Sequence, residues 1–135
     1  MKNKFTKSIG VLALITIMQS NAQEQTEDLK TMDNILLAEW TGPYAGVPAF
    51  DKMKVDLVKP AMLNAMEMHL AEIDKITANT EPATFENTII PFEDAGDQLN
   101  RVFTYYGIFS SNISSPEFRE VQRELSPEIS EYSSK

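Results

Sequence analysis

Apolar residues recur at spacings of three and four over most of the second half of the chain. The first such stretch, from about Asp56 to Ala78, predicts an amphipathic helix. Pro60 falls in its first turn, where a missing N–H costs little. The apolar stripe of this helix comprises Val58, Ala61, Met62, Ala65, His69, Ile73 and Ile76.

A second helix is predicted from Thr84 or Phe85 to about Ser110–Asn112. Pro82 ends the preceding element, and the Thr84 hydroxyl can cap the first turn. Pro91 and Gly96 should kink or loosen the early part. The predicted apolar face is made of Phe85, Ile89, Phe92, Leu99, Val102, Phe103 and Tyr106.

A third helix is predicted to open at Ser115-Pro116-Glu117, with serine as N-cap and proline in the first turn. Its apolar positions are Phe118, Val121 and Leu125, and Pro127 should bend it or start a new segment. The chain reaches Lys135 without a residue that typically ends a helix, which predicts a truncated C-terminus. The expected fold class is all-α, predominantly helical from 56 to 132 and without a sheet.

The segment before these helices has a different pattern. From Asn34 to Asp51, glycines and prolines interrupt any regular element, while large apolar residues occur singly. This pattern predicts an extended arm packed against something larger. Its apolar anchors are Leu36, Leu37, Trp40, Tyr44, Val47 and Phe50.

The N-terminus reads as an export signal. Residues 1–22 combine three lysines, a ten-residue apolar run from Ile9 to Met18, and the small residues Ser20 and Ala22 at a cleavage position. A membrane anchor is the alternative, but the apolar run is far shorter than the roughly 20 residues needed to span a bilayer. Residues 23–33 are polar and acidic, which predicts a flexible lead-in. We therefore expect a periplasmic or extracellular product.

Charge and composition limit the classes of partner that the mature chain is expected to bind. After removal of residues 1–22, nine basic residues face twenty acidic ones, a net charge of −11. This balance argues against a nucleic-acid partner and against stable membrane association of the mature chain. The absence of cysteine excludes disulfides, thiolate metal sites and a cysteine nucleophile.

The residues that could carry chemistry are few. His69 is the only histidine, so neither an H-E-x-x-H helix nor more than one imidazole ligand can exist in this chain. A Ser/His/Asp triad would also need His69, and no G-x-S-x-G accompanies it. His69 is best explained as a packed or boundary residue on its stripe.

Other clusters have simpler explanations. Two groups of acidic residues follow helical spacing, with Arg101, Arg119 and Arg123 among them. This pattern fits a solvated and partly ion-paired helix face better than a pair of carboxylates acting as general acid and base. The first group is Glu93, Asp94 and Asp97, and the second is Glu117, Glu120, Glu124, Glu128 and Glu131. Gly42 and Gly46 match no nucleotide-binding pattern. Four aromatics could line a peptide groove but at helical spacing fit a core better: Phe103, Tyr105, Tyr106 and Phe109.

Residues 82–89 read P-A-T-F-E-N-T-I and are the most distinctive of several short stretches distributed along the chain. Taken in order, these stretches resemble the thimet oligopeptidase family of zinc metallopeptidases, particularly its bacterial peptidyl-dipeptidase and oligopeptidase A members, in which a P-x-T-F-E-N-T-I segment lies near the N-terminus. Ile35 differs from a proline that is common in the family. The other similar stretches are 34–37 (NILL), 47–54 (VPAFDKMK), 59–61 (KPA), 71–76 (AEIDKI), 115–120 (SPEFRE) and 130–133 (SEYS).

The resemblance covers 34–135 and implies the N-terminal helical region of a larger peptidase acting on short peptides. In that family the N-terminal helices help to cover a deep channel, and zinc is held downstream by H-E-x-x-H and a later glutamate. This chain then contributes no catalytic, cofactor-binding or metal-binding residue, and zinc belongs to the full-length parent. The alternative hypothesis is a complete small secreted helical module that binds a peptide or protein without enzymatic activity.

Overall fold

The structure is a computed structural model that describes residues 34–43 and 46–135, and most of these residues are helical. The predicted signal peptide (1–22), the acidic lead-in (23–33) and the anchor Tyr44 lie outside the described residues. Residues Asn34–Lys135 form one compact unit. Within the described ranges the only β pairing is an isolated antiparallel bridge between Thr41 and Val47. The all-α prediction is confirmed.

Four α-helices and one π-helical turn follow the arm. Helix α1 spans Val55–Thr77, the π-helical turn spans Phe85–Ile89, α2 spans Ile90–Asp94, α3 spans Asp97–Asn112 and α4 spans Pro116–Tyr132. Helix α1 packs against both α3 and α4, so it lies at the centre of the unit. No helix in the described ranges is long and apolar enough to cross a bilayer.

The helix starts follow from local capping. The Thr84 hydroxyl accepts from the Asn87 backbone N–H at 3.1 Å, and the Asn87 side-chain oxygen accepts from the Thr84 N–H at 2.8 Å. This reciprocal pair is a capping box. At α4, the Ser115 hydroxyl accepts from the Phe118 N–H at 3.2 Å. Both predicted caps are confirmed, although the contribution of Asn87 was not anticipated.

The second predicted helix is interrupted. It breaks at Ala95 and Gly96, where Gly96 adopts a left-handed φ of 85°. Glycine meets this conformation without the steric penalty of a Cβ atom. In contrast, α4 runs through Pro127 without starting a new segment, and the position of that proline is exposed.

The core forms where the predicted stripes face one another. It consists of Leu36, Val58, Ala61, Met62, Ala65, Met66, Leu99, Val102, Tyr105, Phe109, Phe118 and Leu125. The stripe predicted for α1 is confirmed, since its first four members are buried and His69, Ile73 and Ile76 are half-buried. The face predicted for the second helix is wrong in its first half, because Phe85, Ile89 and Phe92 are exposed.

The arm is folded into turns rather than extended. Residues 35–37 form a turn closed by the Leu37 N–H donating to the Asn34 carbonyl. Leu36 is fully buried, whereas Val47 and Phe50 are about half exposed. Two of the long-range hydrogen bonds that hold the arm to the helices are short: the Asn34 amide donates to the Leu57 carbonyl at 2.8 Å, and the Ala49 N–H donates to the Tyr105 hydroxyl at 2.7 Å. It therefore covers one side of the core.

Candidate functional site

His69 lies in a junction between α1, α4 and the turn that precedes α3. Its Nδ1 is 2.5 Å from the Tyr132 hydroxyl oxygen, and the two rings lie 6.0 Å apart. On the other side, a Cβ placed on Gly96 would come within 2.9 Å of His69 Cδ2. The ring is thus enclosed on two sides by packed neighbours, which agrees with the prediction of a packed or boundary histidine.

Glu72 completes the same junction. Its carboxylate accepts a hydrogen bond of 2.8 Å from the Gly96 N–H, one α1 turn beyond His69. Burial raises the pKa of the Tyr132 hydroxyl above its ordinary value, so this phenol stays protonated at neutral pH. The three side chains fix the left-handed turn against α1. The contacts of these three side chains therefore indicate a structural role.

The donor set does not fit a zinc site. Within the described ranges, no group of three or more histidine, cysteine, aspartate or glutamate side chains lies close enough together to hold a metal ion. The sequence itself offers one imidazole and no thiolate. A catalytic zinc needs about three protein ligands and an open position for water. The described residues therefore do not bring together the ligands of a catalytic zinc site.

The acidic face of α4 is solvated and ion-paired. Glu124 accepts from Lys59 at 2.8 Å, Glu131 pairs with Lys135 at 3.2 Å, and Glu120 pairs with Arg123. A hydrogen bond from Lys59, followed by its charge, lowers the pKa of Glu124. A lowered pKa favours the ionised carboxylate, whereas a general acid needs a proton to give at neutral pH. These contacts support the prediction of a solvated face.

The four aromatics belong to the core. Tyr105 and Phe109 are buried, and Phe103 and Tyr106 pack against them as half-buried residues. Phe109 and Phe118 stack with ring centroids 5.2 Å apart, while Tyr106 meets Phe118 edge-on at 5.4 Å. This arrangement fills the space between α3 and α4. The burial of Tyr105 and Phe109 means that the four rings do not together line an open groove.

The largest concentration of exposed apolar side chains lies on the π-helical turn and α2. Phe85 is 63% exposed, Phe92 60%, Ile89 44% and Ile90 43%. We call these four residues the 85–92 surface. Four large apolar side chains exposed within eight positions are typical of an interaction site rather than of ordinary surface. The apolar pattern alone had placed Phe85, Ile89 and Phe92 in a continuous face with the core residues of α3.

A second feature is a groove between the arm and the first turns of α3. The groove has a volume of about 440 Å³ and is lined by Glu39, Trp40, Asp97, Asn100, Arg101 and Thr104. The α3 residues follow helical spacing and so lie on one face of that helix. We call this the arm groove. It is polar, in contrast to the 85–92 surface.

Two nitrogen atoms of residues that line the arm groove are buried without an acceptor among the described residues: Trp40 Nε1 and Arg101 Nε. A buried, unsatisfied donor typically costs about 1–3 kcal/mol. Arg101 Nη2 donates to the Leu37 carbonyl at 3.3 Å, and no ion pair of Arg101 occurs in residues 34–43 and 46–135. Arg101 is therefore not one of the ion-paired members of the predicted solvated and partly ion-paired face, because its side chain turns to the arm.

Comparison with known proteins relates the chain to peptidases. It is 32% identical over 102 residues to oligopeptidase A of Salmonella typhimurium, covering 76% of this chain and 14% of that protein. It is 32% identical over 87 residues to oligopeptidase A of Escherichia coli, covering 64% of this chain and 13% of that protein. It is 30% identical over 101 residues to dipeptidyl carboxypeptidase of Escherichia coli, covering 75% of this chain and 15% of that protein.

The chain thus spans about one seventh of the length of these curated relatives. No protein-family model matches it. No solved structure matches it either.

Proposed function

We propose that this chain is the N-terminal portion of an exported zinc metallopeptidase of the thimet oligopeptidase family that hydrolyses short peptides. The observation that carries the proposal is the 32% identity to oligopeptidase A over 102 residues, which amounts to only 14% of that relative. The rest of such a protein would supply the catalytic apparatus. By itself this chain would be catalytically silent.

The 85–92 surface supports this proposal. Burying apolar surface stabilises a protein by roughly 25 cal/mol per Å² removed from water, so an exposed cluster of this size is unfavourable unless something covers it. In a longer peptidase, the chain that follows could pack on it. The helical unit would then form part of the wall around a substrate channel, which would admit short peptides and exclude folded proteins.

Zinc would act as a Lewis acid and lower the pKa of a bound water in the complete enzyme. The residues of this chain would take no part in holding it, since the donor set does not fit. Their contribution would be to shape and enclose the channel. Peptidyl-dipeptidase action, the removal of C-terminal dipeptides, is the reaction we expect for the complete protein.

Reading the coding sequence beyond Lys135 tests this proposal directly. We expect an H-E-x-x-H helix downstream, and the longer protein should hydrolyse short peptides in a reaction that chelators abolish. The 135-residue chain should bind zinc only weakly in calorimetry and cleave no peptide under the same conditions. A stop codon directly after Lys135, with no downstream H-E-x-x-H, would overturn the peptidase proposal.

Export forms a separate part of the proposal. The three lysines, ten apolar residues and small residues of 1–22 should direct export with cleavage after Ala22. Mass spectrometry of exported material should find Gln23, free or cyclised, at the N-terminus. An intact Met1 on a cytoplasmic product would contradict this part and leave the peptidase proposal standing.

The second candidate is a complete small secreted module that binds a peptide or protein. The 85–92 surface is the observation that favours it, because exposed aromatic and aliphatic side chains are common in binding surfaces. The stop-codon result described above would favour this candidate. A binding partner would then have to cover Phe85 and Phe92.

A further inference from the structure

A second groove runs along α1 beside the C-terminal end of α4. It has a volume of about 440 Å³ and shares no lining residue with the arm groove. Its α1 wall is made of residues three and four positions apart between Leu63 and Asp74, which places them on one helix face over about 16 Å. We call it the α1–α4 groove. Its length is that of about three helical turns.

The floor of the α1–α4 groove is apolar and open to solvent. Leu63 is 36% exposed, Ala71 is exposed and Leu70 is half-buried, while Met66 lies beneath them in the core. The half-buried ring of Tyr132 borders the floor on the α4 side. An incoming apolar side chain can therefore contact Leu63, Leu70 and Ala71 as the structure stands.

The rim of the α1–α4 groove is acidic. Glu67 and Asp74 of α1 and Glu128 and Glu131 of α4 line it together with one cation, Lys135, so four carboxylates and one ammonium group give a net charge of −3. Lys135 already pairs with Glu131 at 3.2 Å. Within residues 34–43 and 46–135, none of the other three carboxylates belongs to an ion pair. The groove thus favours an occupant that brings positive charge to its rim.

We propose that the α1–α4 groove receives an amphipathic helix whose apolar face is flanked by lysine or arginine side chains. The apolar face lies on the floor, and the long basic side chains reach the carboxylates of the rim. A helix satisfies its own main-chain hydrogen bonds. An extended peptide would instead place main-chain N–H and C=O groups over the apolar side chains of two helices, which offer no sheet edge to pair with.

The occupant that we assign is a helix of the remaining part of the parent protein, so this inference rests on the proposed function. The chain covers only 14% of oligopeptidase A from Salmonella typhimurium, and a parent of that length has ample sequence for such a helix. A second copy of this chain is a poor occupant. Its mature net charge of −11 would be repelled by the acidic rim.

Synthetic helices test the chemistry of the groove. Three fluorescein-labelled peptides of about 18 residues, or five turns, are titrated with the 135-residue chain at about 0.15 M salt, where long-range attraction is screened. The first has a leucine stripe flanked by lysines, the second has the same stripe flanked by glutamates, and the third is a scrambled form of the first without a stripe. From fluorescence anisotropy we expect saturable binding of the first peptide and at least tenfold weaker binding of the other two.

A pair of charge variants locates the binding site. Glu67→Gln combined with Glu128→Gln removes one carboxylate from each wall and should raise the dissociation constant of the lysine peptide about fivefold, or about 1 kcal/mol. Glu86→Gln combined with Glu93→Gln is the matched control, because it makes the same change of charge at exposed positions outside the groove. The control should bind like the wild type. An equal loss in both double variants would overturn the proposal, since the peptide would then be held by overall charge or at the 85–92 surface.

A blocking variant tests the floor. Ala71→Arg places a long cationic side chain in the groove and should weaken binding of the lysine peptide at least tenfold. Ser126→Arg adds the same charge at an exposed position of α4 outside the groove and should have little effect. Circular dichroism confirms that each variant is folded. The proposal is also overturned by unchanged affinity in folded Ala71→Arg, by a lack of saturable binding of the lysine peptide, or by equal binding of all three peptides.

The source of the helix is tested with the longer reading frame. It should encode a helix with lysine or arginine beside an apolar stripe, and a synthetic peptide of that sequence should displace the lysine peptide from the 135-residue chain. The absence of such a helix, or failure of its peptide to compete, would overturn the assignment even if the parent is an active peptidase. A longer protein without peptidase activity would instead overturn the proposed function and leave the groove measurements valid.

Discussion

Replacing Phe118 by alanine should remove a fully buried aromatic side chain of the core, and replacing Phe92 by alanine should have almost no effect on stability. Phe118 is fully buried, stacked on Phe109 and in edge contact with Tyr106. Phe92 lies on α2 and is 60% exposed. The two variants delete the same atoms from helical positions, so their difference isolates burial.

The magnitudes follow from the packing. Phenylalanine-to-alanine changes in protein cores cost about 3–5 kcal/mol, and aromatic contacts add about 0.5–1.5 kcal/mol beyond area burial. We therefore expect Phe118→Ala to lower the free energy of unfolding by about 4–5 kcal/mol. A unit of this size typically has a total of about 5–15 kcal/mol, and we expect this one to be near the lower limit, because its apolar surfaces are not all covered. Phe92→Ala should stay within about 0.5 kcal/mol.

Urea denaturation followed by circular dichroism at 222 nm measures both variants. Phe118→Ala should be largely unfolded in the absence of urea or have a midpoint far below that of the wild type. Phe92→Ala should have an unchanged midpoint. An equal loss in both variants would refute the reasoning, since it would mean that the 85–92 surface is packed in the isolated chain. High stability of the unmodified monomer would argue against missing partners for that surface.

Two further predictions concern single positions. Gly96→Ala should lower the free energy of unfolding by at least about 1–2 kcal/mol, because φ is positive at this position and the new Cβ would contact His69. Gly107→Ala, inside α3 and with open space around the new Cβ, should raise the free energy of unfolding by about 0.5–1 kcal/mol. Thermal melts of the two variants test both predictions. Ser115→Ala should cost about 0.5–2 kcal/mol at pH 7 through the lost cap. Because the Ser115 hydroxyl also lowers the pKa of Glu117, this contribution is present at neutral pH and should shrink as acid protonates that carboxylate, which denaturation at pH 7 and pH 3 would measure.

Local features of this fold could be predicted from the sequence, because they depend on residues a few positions apart. Capping by Thr84 and Ser115 needs only a hydroxyl within reach of the next turn. The buried stripe of α1 follows from helical spacing. The sequence predicts that Gly96 loosens the helix, and the structure shows a break before α3 at which Gly96 adopts a left-handed φ.

Features that depend on distant residues could not be predicted. The apolar pattern shows that Phe85 and Phe92 are hydrophobic, but not whether another element covers them. Arg101 has acidic neighbours along α3, yet its partner is the Leu37 carbonyl, 64 positions earlier. The sequence does not predict the arm groove for the same reason, since Trp40 and Arg101 come to line one groove only when the arm lies against α3. The one sequence signal for this groove is the single tryptophan, Trp40, in a segment without regular secondary structure.

The way in which the arm is fastened has a consequence for the order of folding. Residues 34–50 leave the ribosome before the helices α1 to α4, yet their hydrogen-bond partners in those helices are Leu57, Arg101 and Tyr105. Helices form from neighbouring residues within microseconds, whereas synthesis adds only about 5–20 residues per second. The arm must therefore wait several seconds for partners that have not yet been made. The earliest part of this unit to be synthesised can reach its final position only after most of α3 has been made.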